Sequence, residues 1–176
     1  MDSVRKIVVI GGESTGKSTL CARLASAYDT CWVREYAREY LEKLNRAYVF
    51  EDLVLIANGQ IKLEEIELAK ANNFLFCDTD LQVIKIWSQV KYNLVDDFIL
   101  KECKKNKASL YILCDPDFPW EFDELRENEF DRNSIHQLYL DELNTNGLNY
   151  IVASGSLEQR KKYCVECITK QFSTYL

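Results

Sequence analysis

With 176 residues, 47% hydrophobic and 28% charged, the chain is sized and composed for one globular domain whose core needs no disulfide or metal staple. Its formal net charge of −6 argues against a nucleic-acid partner, because a phosphate backbone calls for a basic stripe. No window reaches the roughly 20 apolar residues of a membrane span, and the apolar run at the N-terminus is too short for a secretory leader.

In chain order, strand-like runs alternate with helical ones. Residues 5–12 (RKIVVIGG) read as a strand and turn, 17–28 as a helix, 30–35 (TCWVRE) as a second strand and 36–46 as a helix. A long helix is predicted over 51–73, then a strand ending in carboxylates over 74–80 (FLFCDTD), then one or two helices over 81–106. A strand at 109–115 leads into a polar, aromatic segment, 116–133, which holds both prolines. Helix 134–146, strand 149–154 and helix 156–173 close the chain. There are only 6 Gly and 2 Pro, with no low-complexity linker and no internal repeat, so nothing divides residues 1–176. Near-continuous apolar strands separated by helices imply a parallel sheet buried on both faces, hence a three-layer α/β/α fold with five strands. In such sheets ligands bind beyond the carboxyl ends of the strands.

Seven scattered cysteines, several inside apolar runs, fit buried reduced thiols in a cytoplasmic protein. Cys164 and Cys167 form a lone C-x-x-C inside a helical pattern and read as plain helix residues.

The segment Gly11 to Ser18 (GGESTGKS) satisfies G-x-x-x-x-G-K-[ST] in its strand–loop–helix setting. Gly11, Gly12 and Gly16 let the backbone of Glu13, Ser14, Thr15 and onward to Thr19 curl its N–H groups toward phosphate oxygens, and the helix start adds its positive dipole end. Lys17 can reach the β- and γ-phosphates, and the Ser18 hydroxyl can ligate Mg²⁺. The motif therefore predicts a nucleoside triphosphate with magnesium. Asp78, ending an apolar strand, stands where P-loop proteins place an acidic magnesium partner. Asp80 is equally placed to face the ligand or to cap the helix that follows.

A switch GTPase would carry an N-K-x-D signature, but Asn106-Lys107 runs into Ala108-Ser109. A small-molecule kinase needs an acceptor pocket, a group that orients the acceptor hydroxyl, and cations on the transferring phosphoryl group. For the hydroxyl, Glu35 is well placed at the end of the second strand, with Asp78 as its competitor. His136, the only histidine, sits in a polar helix and reads as a surface residue. Arg126 and Arg132 lie in the 116–133 segment, which could close over the site as a lid. Trp120, with Phe118 and Phe122 beside it, could stack on a flat ring or pack the lid to the body. Gln60 shares a stripe with Leu53, Ile56 and Ala57, and is either a satisfied core amide or a ligand contact.

Together, GGESTGKSTL, REYARE (34–39), FCDTD (76–80) and the spaced W-E-F-D-E-L-R of 120–126 resemble the ribosylnicotinamide kinase domain of the bacterial bifunctional nicotinamide-mononucleotide adenylyltransferase/kinase regulators, a group of AAA-type P-loop proteins. The resemblance runs from Lys6 to about Arg160. It implies ATP-dependent phosphorylation of the 5′-hydroxyl of a small-molecule nucleoside, nicotinamide riboside. It implies that Lys17 and Ser18 hold ATP and Mg²⁺, and that Glu35, Arg38 and Asp78 face acceptor or metal. Arg126 and Arg132 would clamp phosphates, and Ser154, Gly155 and Ser156 would border the adenine. Tyr36, Gln60, Asp80, Trp120 and Asp123 complete the expected acceptor side. Asp123-Glu124-Leu125-Arg126 departs from the family's usual D-G-L-R and lacks its glycine. With the P-loop opening at Gly11, the expectation is a stand-alone kinase domain. Thymidylate-kinase-like and deoxynucleoside-kinase-like enzymes share the layout, and a nucleotide-binding regulator is the rival reading from a different class.

Overall fold

The computed structural model describes residues 4–124 and 131–173. Its sheet has five strands in the order β2-β3-β1-β4-β5, all parallel. They are β1 (Arg5–Ile10), β2 (Trp32–Val33), β3 (Phe74–Asp78), β4 (Leu110–Cys114) and β5 (Tyr150–Ala153). Seven helices are found among the described residues: α1 (Lys17–Ala27), α2 (Tyr36–Lys43), α3 (Phe50–Leu68), α4 (Leu81–Tyr92), α5 (Asp97–Lys105), α6 (Arg132–Thr145) and α7 (Leu157–Gln171).

Alternate residues of the central strands pack into opposite layers, the mark of a sheet covered on both faces. Ile7, Val9, Phe74, Phe76 and Ile112 join Leu20 and Leu24 of α1 and Ile168 of α7. Val8, Ile10, Leu75, Tyr111 and Leu113 join Ile135, Tyr139 and Leu143 of α6. A third cluster, including Ala37, Leu53, Ile56, Leu81, Ile84 and Ile99, binds α2 to α5 into a helical annex.

The predicted 81–106 region is two helices. Asn93 closes α4 with φ 51°, and the Asp96 carboxylate restarts the chain by accepting from the Phe98 N–H at 2.8 Å. The second strand is shorter than predicted. It pairs only Trp32 with Phe76 and Val33 with Cys77, then leaves the sheet edge so that Glu35 becomes the N-cap of α2. Arg132 is the first residue of α6 rather than part of the preceding segment.

All seven cysteines are free, five of them buried. Among the described residues no helix is long and apolar enough to cross a membrane.

Candidate active site

β1 lies between β3 and β4, so the loop at its end opens over the sheet's centre, where the strand order turns. Gly16 holds φ 75° as the N-cap of α1, and a Cβ there would come within 2.5 Å of the Phe118 ring. Both the turn and the close approach require glycine. The Lys17 ammonium donates to the Gly12 carbonyl at 2.7 Å, and the Thr15 hydroxyl donates to the same oxygen at 2.8 Å. The side chains thus close the loop on itself.

This loop borders a cleft of about 520 Å³, lined by every residue from Gly11 to Thr19. The cleft is also lined by Glu35, Arg38 and Leu41 near α2, Tyr48 before α3, and Val83, Ile86, Trp87 and Val90 of α4. Phe118, Pro119, Glu121 and Asp123 border it from the segment after β4.

Glu35 makes no capping bond to its own helix, although it is the N-cap residue. Burial pushes its carboxyl up, opposed by the charge of Lys17 and reinforced by Asp78. Asp78 sits behind the cleft wall, 3% exposed. Burial raises it too, against the pull of Lys17 and of the Ser18 hydroxyl. Its Oδ1 is a buried oxygen with no hydrogen-bond partner among the described residues.

That orphaned oxygen beside Ser18 suits a hard cation such as Mg²⁺, which takes oxygen donors. No group of three metal-ligating His, Cys, Asp or Glu side chains occurs among the described residues. A cation between Ser18 and Asp78 would draw its remaining ligands from phosphate and water.

Arg38 and Asp123 line the cleft and bind each other, Arg38 Nη2 donating to Asp123 Oδ2 at 2.8 Å. Arg132 donates to the carbonyls of Phe118 at 2.7 Å and Ser14 at 3.0 Å, so it touches the phosphate loop itself. Ser14 and Glu121 also clasp, the Glu121 N–H donating to the Ser14 hydroxyl at 3.1 Å. Arg126 lies outside the described residues.

Four expected acceptor contacts point elsewhere. Asp80 is 2% exposed and caps α4, accepting from the Gln82 N–H at 2.9 Å and the Tyr111 hydroxyl at 3.1 Å. Gln60 is 1% exposed and absent from the cleft wall, because its Oε1 accepts from the Tyr36 N–H at 2.9 Å. The Tyr36 ring lies against Gly59 of α3. Trp120 is half-buried but does not line the cleft, and its neighbour Phe122 is largely exposed.

Ser154, Gly155 and Ser156 stand past β5, beside rather than in the cleft wall. The Gly155 N–H donates to Asp117 Oδ2, and Ser156 caps α7 with a capping box completed by Gln159. His136 is mostly buried and pairs with Asp115 at 3.2 Å.

Two features escaped the sequence reading. Trp87 and Tyr48 form an aromatic wall: the rings are T-shaped at 4.9 Å, and Trp87 Nε1 donates to the Tyr48 hydroxyl at 2.8 Å. The spacing Val83, Ile86, Trp87, Val90 is a helical stripe that could have signalled it. Arg160 of α7 is 1% exposed and donates to the carbonyls of Gly155 at 2.9 Å, Thr15 at 2.8 Å and Asp115 at 3.0 Å. It also pairs with Asp117 and stacks on Phe118 at 4.3 Å, tying the phosphate loop to the turns after β4 and β5.

A family model described as an AAA domain matches residues 6–160. The chain is 28% identical over 172 residues to the Salmonella typhimurium protein "Trifunctional NAD biosynthesis/regulator protein NadR", covering 94% of this chain and 42% of that protein. The chain thus spans less than half of its curated relative. A solved NadR protein in complex with NR superposes with a TM-score of 0.78 at 23% identity, over 95% of this chain and 51% of that one. Thymidylate kinase from Candida albicans superposes at 0.71 and 14% identity, over 96% of this chain and 92% of that one. The architecture is therefore the P-loop fold shared by these nucleoside- and nucleotide-kinase-like proteins.

Proposed function

The chain belongs to this AAA-domain family, and from that premise we propose that it is an ATP-dependent phosphotransferase acting on the 5′-hydroxyl of a nucleoside, nicotinamide riboside, to give the mononucleotide. One observation carries the reading: a single cleft is lined by the phosphate loop, by the carboxylate of Glu35, which feels the charge of Lys17, and by an aromatic wall. A switch or a simple hydrolase has no need of a second, apolar compartment facing the γ-phosphate position. A kinase does, because the acceptor must be held in line and water kept out.

In this reading Gly11 to Thr19 cradle the phosphates and Lys17 follows the charge of the transferring group. Ser18 and Asp78 would hold Mg²⁺, which would supply positive charge to offset that developing on the transferring phosphoryl group. Glu35 accepts the acceptor's hydroxyl proton as the oxygen attacks. Trp87 and Tyr48 flank the flat base, and Arg38, paired with Asp123, borders the ribose side. Arg126 and Arg132 clamp phosphates, and the Ser154–Ser156 turn borders the adenine. Support for nicotinamide riboside comes from the REYARE and W-E-F-D-E-L-R motifs and from the NR-bound relative.

The test is a panel of nucleosides and nucleotides with Mg-ATP, scored for phosphorylated product. ATP consumption that requires an acceptor, with nicotinamide riboside the best, is the expected result. A better product from thymidylate or a deoxynucleoside reassigns the acceptor. ATP hydrolysis indifferent to every acceptor overturns the kinase reading in favour of a regulator.

A further inference from the structure

We propose that the Gly59–Gln60 step of α3 is a positioning device for Glu35, holding the start of α2 at a fixed spacing from the phosphate loop; this rests on the reading of Glu35 as the group that receives the acceptor's proton. A helix start leaves its first N–H groups without intrahelical partners, and the N-cap side chain usually supplies one. At α2 it does not: Glu35 makes no capping bond. The first N–H of the helix, one the N-cap side chain does not serve, is met from another helix, Gln60 Oε1 accepting from the Tyr36 N–H at 2.9 Å. The helix start is thus held next to Glu35 while the Glu35 side chain, which makes no cap, lines the cleft.

The Tyr36 ring grips the same step, packing on the preceding residue, Gly59. Glycine inside a helix costs about 1 kcal/mol relative to alanine, and Gly59 lies in the interior of α3. A Cβ there would overlap the Tyr36 ring at three carbons. The notch and the amide thus hold one residue at two points, backbone and side chain. Gln60 is fully buried, and a buried amide oxygen is costly unless it accepts a hydrogen bond.

One turn farther along α3, Glu64 accepts from Lys6 Nζ at 3.0 Å, and Lys6 also donates to the Asn106 carbonyl at 2.8 Å. Lys6 belongs to β1, the strand that runs directly into the phosphate loop. α3 is therefore pinned to the phosphate-bearing strand at Glu64 and to the Glu35–Tyr36 step at Gln60. It acts as a spacer between the donor and acceptor halves. A misplacement of the order of 1 Å at a reacting group can cost roughly a hundredfold in rate.

The test compares Gln60→Met, which keeps length but loses the acceptor oxygen, with Gln60→Glu, which keeps an oxygen at the same reach. Gln60→Met is expected to lower kcat at least about tenfold with KM for ATP unchanged, and Gln60→Glu to recover most of it. A merely structural amide would lower Tm but leave kcat per folded molecule intact, and that result overturns the proposal. Should Gln60→Met not fold, Gly59→Ala takes its place: a kcat loss relieved by adding Tyr36→Leu supports the device, and a wild-type kcat overturns it. Glu35→Gln is measured alongside. If it is inactive while Gln60→Met is normal, only the positioning role fails; if it retains full turnover, the reading of Glu35 fails and the positioning role with it.

Discussion

The phosphate-loop part of the cleft lining is one run of chain, Gly11 to Thr19, with Phe118 and Ile135 against its glycines. The rest of the lining includes Glu35 and Arg38, Tyr48, and the Val83–Val90 stripe of α4, from three separate stretches, with Glu35 near enough to Lys17 for that charge to act on it. The difference is one of materials. Phosphate is met by backbone N–H groups, which need consecutive residues and the glycines that let them curl. A hydroxylated, flat-ringed acceptor is met by side chains, which any part of the chain can deliver.

The largest effect should follow from attacking the contiguous part. Lys17→Ala is expected to lower kcat on the order of a thousandfold with Tm little changed, because among the described residues the ammonium hydrogen-bonds the Gly12 carbonyl and is part of no core cluster. A mutant with wild-type turnover would detach the loop from catalysis. Next, Glu35→Gln should cut kcat roughly a hundredfold or more while leaving ATP binding unaltered, as titrated by a fluorescent nucleotide. If nucleotide affinity falls instead, the two parts of the lining are not separable as described.

Trp87→Ala should raise the acceptor's KM about tenfold, some 1.4 kcal/mol, and leave the KM for ATP alone. An equal rise in both would erase the division of the cleft.

The acid limb of activity sharpens the comparison further. Burial raises Glu35 and Asp78, so each keeps its proton to a higher pH in the folded protein than in the unfolded chain. Activity that needs ionised Glu35 should therefore fade on acidification above the ordinary carboxylate range. Linkage has the matching sign: between the unfolded and folded values the native state binds more protons, so stability declines as pH rises through that window. Glu35→Gln should flatten that slope in pH-dependent melting, and an unchanged slope would place the perturbed group elsewhere. The smallest effect is expected at Asp123→Asn. It breaks an ion pair whose Arg38 partner is about half exposed, so Tm should reflect a change under about 1 kcal/mol. A larger loss would make the segment after β4 part of the fold's support rather than a border of the cleft.

The same contrast explains what could be read from the sequence. The five strands and the phosphate loop were legible because each is a short local pattern: apolar runs, and glycines before Lys17. Arg38 and Asp123 stood out separately in REYARE and W-E-F-D-E-L-R, and the structure shows them to be partners. The aromatic wall was not legible. α4 carries two apolar stripes, Leu81 and Ile84 toward the α2–α5 annex and Val83, Ile86, Trp87 and Val90 toward the cleft, and a buried stripe and a ligand wall have the same period. Gln60 was legible as an out-of-place amide, but its partner, a backbone N–H 24 residues away, was not. Arg160 was hidden among the lysines and glutamates of α7, although it shares the buried face of Cys164 and Ile168.

The central claim is that the γ-phosphoryl group passes from ATP to a nucleoside held in the same cleft. ATP labelled at its γ-phosphate, incubated with the protein, magnesium and nicotinamide riboside, tests this directly. The account predicts label in the mononucleotide, one per ADP formed, with little in inorganic phosphate. Label appearing only as inorganic phosphate, at the same rate with and without nucleoside, would contradict it.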